Sequence, residues 1–325
     1  MSLARPLFVA LVAASSLVVA TPSPAQDNYP NHPVKVVVAL PAGGSVDMVA
    51  RLLSQQLATD LGQPFVVDNK AGASGQIGTP VVAKAAPDGY TLMVSPASFL
   101  TTNKSIFKTL PYNPETDFAP VTKLVNQAMV LVVRDKTRFA TVGDVLAAAK
   151  ANPGKLSYAS SGDGSPQHLA GLMFESRTGA KLLHVPYKGG APAITDLIGG
   201  VVDMAFAPLP EALPHIKAGK LHPVGVLSEK RAVSAPDIPT LREGGVDNVV
   251  LSAWIGLLAP AKTPQPILDR LNKSAKTLLE GDSKAKLLEV GMEPATSESK
   301  PLGQVIAEEI RIHAELVKAA GLVPQ

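Results

Sequence analysis

A strand, a glycine-bearing loop and a helix succeed one another repeatedly along this chain, and that order permits few architectures. Val34 to Leu40 is an apolar run broken by one lysine, as a strand buried on both faces of a parallel sheet requires. ALPAGGSVDMVAR, residues 39–51, comes next. From there Val46, Val49, Ala50, Leu53, Leu57 and Leu61 recur at three and four residues, marking one face of a helix that ends near Gly62. Ser45 stands where an N-cap is expected, its hydroxyl able to accept from the free N–H groups of the first turn. Phe65 to Asn69 leads into AGASGQIG, residues 71–78, and a helix through Ala86; the turn Pro87-Asp88-Gly89 then hands over to Tyr90 to Ser95 and PASF. These successive steps predict a parallel sheet with right-handed crossovers and all of its loops on one edge.

The pattern restarts farther on. Met129 to Arg134 reads as a strand, Thr141 to Ala151 as a capped helix, and Leu156 to Ala159 as a strand opening through SSGDGSPQH, residues 160–168, into another helix. Leu182 to Val185 leads to PYKGGAPA, residues 186–193, and a helix, and Val202 to Phe206 and Leu221 to Leu227 complete a second α/β unit. Two extended apolar stretches, Val121 to Val133 and Val249 to Ala259, bracket it. Read as crossovers, they divide the chain into a discontinuous first domain, 26–122 with 252–325, and an inserted second domain, 123–251. The helical patterns Pro266 to Leu288 and Pro301 to Ala320 are expected to pack on the first domain.

The first 25 residues stand apart. Arg5, the apolar run Leu7 to Ala20 and Ser23-Pro24-Ala25 follow the order of a cleaved export signal, and the run falls short of the roughly 20 residues of a membrane span. Cleavage after Ala25 leaves a chain starting at Gln26. A near balance of 30 basic and 27 acidic residues gives no electrostatic case for nucleic acid. The absence of cysteine excludes disulfides, thiol nucleophiles and thiolate metal ligands. Only 4% of residues are aromatic, with Trp254 the one tryptophan, which argues against a cleft built on stacked rings.

The glycine loops fit neither nucleotide pattern. A phosphate loop needs a lysine after its glycines, and none follows Gly43-Gly44 before Lys70; a dinucleotide fingerprint needs GxGxxG, which Gly43-Gly44-Ser45 does not supply. What remains is the general property of a helix N-terminus, whose unpaired N–H groups and partial positive charge receive an anion. Such loops recur at 41–45, 72–75, 161–165 and 188–190, two in each unit, so the sequence predicts two facing anion receivers.

PAGGSVDMVAR, AGASGQIG, PDGYTL, SSGDGSPQHLAG, HVPYKGGAPAITDLIGGVVDMAF and KRAVSAPDIPTLREGG, in this order, resemble the Bug family of periplasmic receptors, the binding proteins of tripartite tricarboxylate transporters. The resemblance covers essentially the whole mature chain. It implies a two-domain periplasmic binding protein fold of type II-like form, joined by two crossing strands. It further implies a monomer in the periplasm that needs no cofactor, holds a small carboxylate in the interdomain cleft and delivers it to membrane permease subunits. In the first domain it points to Ala42, Gly43, Gly44, Ser45, Ala73, Ser74 and Ser98. In the second it points to Ser161, Gly162, Ser165, His168, Tyr187, Lys188, Gly189 and Asp203. Ser74 stands where the family more often has glycine.

Several of these residues carry a competing reading. Asp47, in the first turn and four residues before Arg51, suits a helical ion pair better than contact with an anion. His168 fits a packed neutral ring as well as a donor to ligand; Lys188 fits a solvated loop; Asp203 fits a bond to local backbone. Tyr187 offers a ring wall and a hydroxyl. A sensory receptor with the same cleft is the alternative function. A hydrolase is a weaker one, because Gly72-Ala73-Ser74-Gly75-Gln76 approaches a GxSxG elbow with its closing glycine displaced by one residue. Metal chemistry lacks support, since the histidines at 32, 168, 184, 215, 222 and 313 include no pair at helical ligand spacing.

Overall fold

A computed structural model describes residues 28–281, 283–319 and 324. The predicted export signal and its cleavage point lie outside these residues. Among the described residues no helix is long and apolar enough to cross a membrane.

The chain opens with β1 (Val34–Val38), α1 (Ser45–Leu61), β2 (Phe65–Asn69), α2 (Thr79–Ala83) and β3 (Thr91–Pro96), followed by two single turns, α3 (Ala97–Leu100) and α4 (Asn103–Ile106). β1 pairs in parallel with both β2 and β3, as the repeated units require. α1 buries Val46, Val49, Ala50, Leu53 and Leu57 and ends at Gly62, whose left-handed φ of 72° lets its N–H reach the Ala58 carbonyl.

β4 (Phe118–Val133) is a single strand of 16 residues rather than a short strand after a crossover. Its first part pairs antiparallel with β9 (Ser252–Pro260), with bulges between Pro120 and Thr122 and between Lys123 and Val125. Its last part is shared with the second unit. That unit contains α5 (Val142–Ala151), β5 (Ser157–Ser160), α6 (Pro166–Thr178), β6 (Leu183–Pro186), α7 (Gly190–Gly199), β7 (Met204–Pro208), α8 (Leu209–Lys217) and β8 (His222–Val226). α5 starts on the capping box Thr141/Asp144, in which each side chain bonds the other residue's backbone. β7 and β8 pair antiparallel with the last residues of β4, and β5 pairs in parallel with β6 and β7. One strand order, β2-β1-β3-β9-β4-β7-β5-β6, therefore runs through both units.

Helices cover both faces of each half. Tyr29, Val36, Leu53, Leu57 and Leu271 share one core of the first half, and Val37, Met93, Leu100, Trp254 and Leu302 the other. In the second half, Leu131, Phe174 and Phe206 pack on one face, and Val130, Leu197 and Leu213 on the other.

The C-terminal segment departs from expectation in two places. Pro266 to Leu288 is two helices, α9 (Gln265–Glu280) and α10 (Ser283–Glu289), because Gly281 leaves helical geometry at φ −87°, ψ −159°. A short strand, β10 (Met292–Pro294), then pairs with β4 and precedes α11 (Ser299–Ala319). Leu302, Ile306 and Ile310 of α11 pack on the first half, as expected, but Val317 joins the core of the second. The last helix thus spans both halves.

Candidate functional site

The site is assembled from loops at the carboxyl ends of the strands. After β1, Gly43 takes φ 88° and Gly44 becomes the N-cap of α1; Ser45 is the first helical residue and makes no capping bond, which corrects the register expected for it. Asp47, in the first turn, instead ties down the loop ahead of the cap. Its Oδ2 accepts from the Gly43 N–H at 3.0 Å and from Arg51 Nε at 2.9 Å, while Oδ1 accepts from Asn69 Nδ2 at 3.0 Å. Burial alone would push this carboxyl up, but the bonds from Arg51, Gly43 and Asn69 outweigh it and hold the group below its ordinary value. Asp47 is thereby neutralised, and the Gly43 amide is taken.

Ala73 and Ser74 both lie in the left-handed region, at φ 47° and 52°. Two consecutive non-glycine residues there are strained, so the turn has a partial likeness to an elbow even with its closing glycine displaced. Neighbouring side chains hold it: Asn103 Nδ2 donates to the Ser74 carbonyl at 2.9 Å and to the Tyr112 hydroxyl at 3.1 Å, and that hydroxyl donates to the Phe99 carbonyl. Ser98 sits in the turn after β3.

Across from these loops, Ser165 caps α6, its Oγ accepting from the His168 N–H at 3.3 Å. Ser161 Oγ donates to Gln167 Oε1 at 2.9 Å. The N-cap of α7 is Gly189, at φ 125°, and the N-cap of α8 is Pro208. The amino ends of α1, α6, α7 and α8 consequently converge on one interdomain cavity of about 240 Å³. That is below the roughly 300–1,000 Å³ of sites for drug-sized ligands and suits a small solute. A larger hollow of about 600 Å³, between Tyr29 and Arg270, is lined from the first half only and meets no glycine loop.

Of the predicted site residues, Ser45, Ser74, Ser98, Ser161, Ser165 and Gly189 line the cavity. Ala42, Gly43, Gly44, Ala73 and Gly162 shape the loops without lining it. His168 is a packed residue: its Nδ1 accepts from the Gly164 N–H at 3.0 Å, its ring stacks on His184 at 3.8 Å between centroids, and burial holds it neutral, its pKa pushed down to about 4. Tyr187 donates its hydroxyl to Asp196 at 2.8 Å and packs on the core beneath α7. Lys188 is exposed. Asp203 is a correction: it precedes β7, at the end away from the cavity, and there bonds Arg138 and both the amide and hydroxyl of Ser157.

Asp163, His168 and His184 come within mutual reach, a grouping that sequence spacing did not announce. The two rings are stacked with planes 7° apart, so their in-plane lone pairs do not converge on one ion. Sequence reasoning also missed Asn103, Gln127, Gln167, Glu211 and Trp254, all of which line the cavity. None lies beside a glycine pair, and a polar residue inside a strand or helix announces nothing until its neighbours are known.

Comparison with known proteins gives the family. Residues 49–322 match the model of the tripartite tricarboxylate transporter family receptor. Protein BugT of Bordetella pertussis is 37% identical over 297 residues, covering 91% of each chain. A Rhodopseudomonas palustris protein, Rpa4515, solved with adipate, is 34% identical with a TM-score of 0.86, covering 91% of this chain and 100% of that one. MatC from Rhodopseudomonas palustris, solved with bound malate, is 31% identical with a TM-score of 0.79, covering 89% and 100%. These similarities place the two-domain periplasmic binding protein architecture beyond the strand order alone.

Proposed function

The chain belongs to the tripartite tricarboxylate transporter receptor family, whose members are periplasmic carboxylate-binding proteins, and from that premise we propose that it captures a small carboxylate between its lobes. The observation that carries this reading is the convergence of amino ends from both halves on one small cavity, an arrangement that stabilises an anion through oriented N–H groups. Lobes 26–122 with 252–325 and 123–251 each supply part of the grip. Ser45, Ser74 and Ser98 on one side and Ser161, Ser165 and Gly189 on the other are the proposed contacts, with Ala42, Gly43, Gly44, Ala73 and Gly162 shaping the loops. Because the full set is completed only when the lobes meet, ligand shifts the molecule toward the closed form. The closed receptor, exported by its N-terminal signal and acting as a monomer, hands the solute to permease subunits of a tripartite transporter. No bond is made or broken.

A thermal-shift screen of carboxylates tests this directly. A true ligand at 100 times its dissociation constant adds roughly 2.7 kcal/mol of stability. Ser74→Ala is expected to weaken binding, and neither protein is expected to release product from an ester. No shift with any carboxylate, or ester turnover lost with Ser74, would defeat the reading.

A further inference from the structure

Among the described residues, two buried polar atoms in the cavity wall have no partner. Gln127 is 4% exposed on β4, and its Nε2 donates to nothing; Glu211, in the first turn of α8, has an Oε2 closed off from solvent and likewise unbonded. Both side chains line the cavity already described. An orphaned buried polar group is costly, which favours an occupant that satisfies it. The Glu211 carboxyl also lies against the start of α7, where a Cβ on Gly190 would come within 2.1 Å of Oε2. Glycine at position 190 is what admits it.

We propose that Gln127 and Glu211 form the receiver for a second carboxylate of the ligand, with Glu211 holding a proton that it donates to that carboxylate. The proposal rests on the carboxylate-binding reading above and selects diacids within it. Burial pushes the Glu211 carboxyl up to about 7, so about half of it carries the proton near neutral pH. α8 packs mainly on β4, β7 and α7, and the 289–293 segment reaches it where Gly291 lies beside Pro210 and Lys217 donates to the Glu289 carbonyl; Glu293 there accepts from the Val233 N–H. β7 has no titratable side chain; Lys123 of β4 lies over the Trp254 ring; Asp196 of α7 is bonded to Tyr187. Asp163 shares the cavity wall beside His168 and His184, and α8 itself carries His215 and Lys217. Burial, rather than any of these charges, raises the Glu211 carboxyl. A neutral acid beside an amide N–H presents two donors, the complement of a carboxylate; an ionised one would present an acceptor and a donor, the complement of a primary amide.

Calorimetry of succinate, glutarate and adipate, each against the monocarboxylate and the monoamide of the same length, tests this between pH 6 and 8.5. Diacid affinity is expected to fall by up to tenfold per pH unit above 7, with uptake approaching one proton per ligand at the alkaline end. Glu211→Gln retains a neutral donor and should bind diacids with that pH dependence and proton uptake removed. Gln127→Ala should lose about tenfold or more for diacids while monocarboxylates change little. Overturning results are diacid binding whose pH dependence survives Glu211→Gln, no diacid preference in the native protein, or a preference for monoamides that strengthens as pH rises. Binding of no carboxylate at all would remove the parent reading and this one together; the other failures leave the parent reading standing.

Discussion

Asp47 illustrates how a single acid can order a loop of the proposed anion site. Its carboxylate ties the Gly43 amide, Arg51 and Asn69 together, fixing the loop that presents Ser45. Asp47→Asn is expected to cost about 1–2 kcal/mol in urea melts and to weaken ligand binding through a looser loop. The pH sign follows from a folded-state pKa below the ordinary 3.8. The contribution is whole above that value and fades as pH falls through the lowered one, so the stabilities of native protein and variant should converge in acid. The pairing was legible as a four-residue spacing on a helix. The cap was misplaced by one residue because Gly44 and Ser45 both suit the position, and three-dimensional bonds to Asp47 decide between them. Glu211 drew no notice in the sequence; its isolation depends on Gly190, 21 positions earlier in the chain, which no local pattern reveals.

At the scale of elements, strand and helix order was legible because the apolar periods of two and 3.6 are local. Partner choice was not. The face of α11 was readable, yet its last turn crosses to the second half, since periodicity marks which side is apolar and not what will cover it. The same helix is tied to the cleft wall through Trp254, whose Nε1–H donates to both Glu309 carboxylate oxygens at 2.9 and 3.0 Å. Burial pushes Glu309 above its ordinary value despite the bond from Trp254 and the nearby Lys123. Removing the indole N–H should therefore strand a buried acid. Trp254→Phe is expected to destabilise by about 1–3 kcal/mol in denaturant melts, and Glu309→Gln, which retains an acceptor oxygen, by less.

For the whole molecule, two α/β units and two crossings followed from element order, whereas the contact between units did not. Gly164, in the loop after β5, meets Ile106 of α4: a Cβ there would lie 1.8 Å from Ile106 Cδ1. Gly164→Ala should hold the halves apart and weaken ligand affinity about tenfold, as expected when the binding-competent state becomes rarer. Ile106→Ala in the same chain should restore most of that loss, with small-angle scattering reporting the change in compactness. Failure of the second substitution to rescue would assign the effect to backbone strain at φ 71° instead.

The unbroken run of β4 through both sheets bears on how such a molecule moves. Where lobes hang on flexible linkers, opening can be wide and loosely defined; here the shared strand and its ladder with β9 are expected to act as a torsion bar. Motion is then expected to follow a narrow arc, with the two irregularities in the ladder as its compliant points.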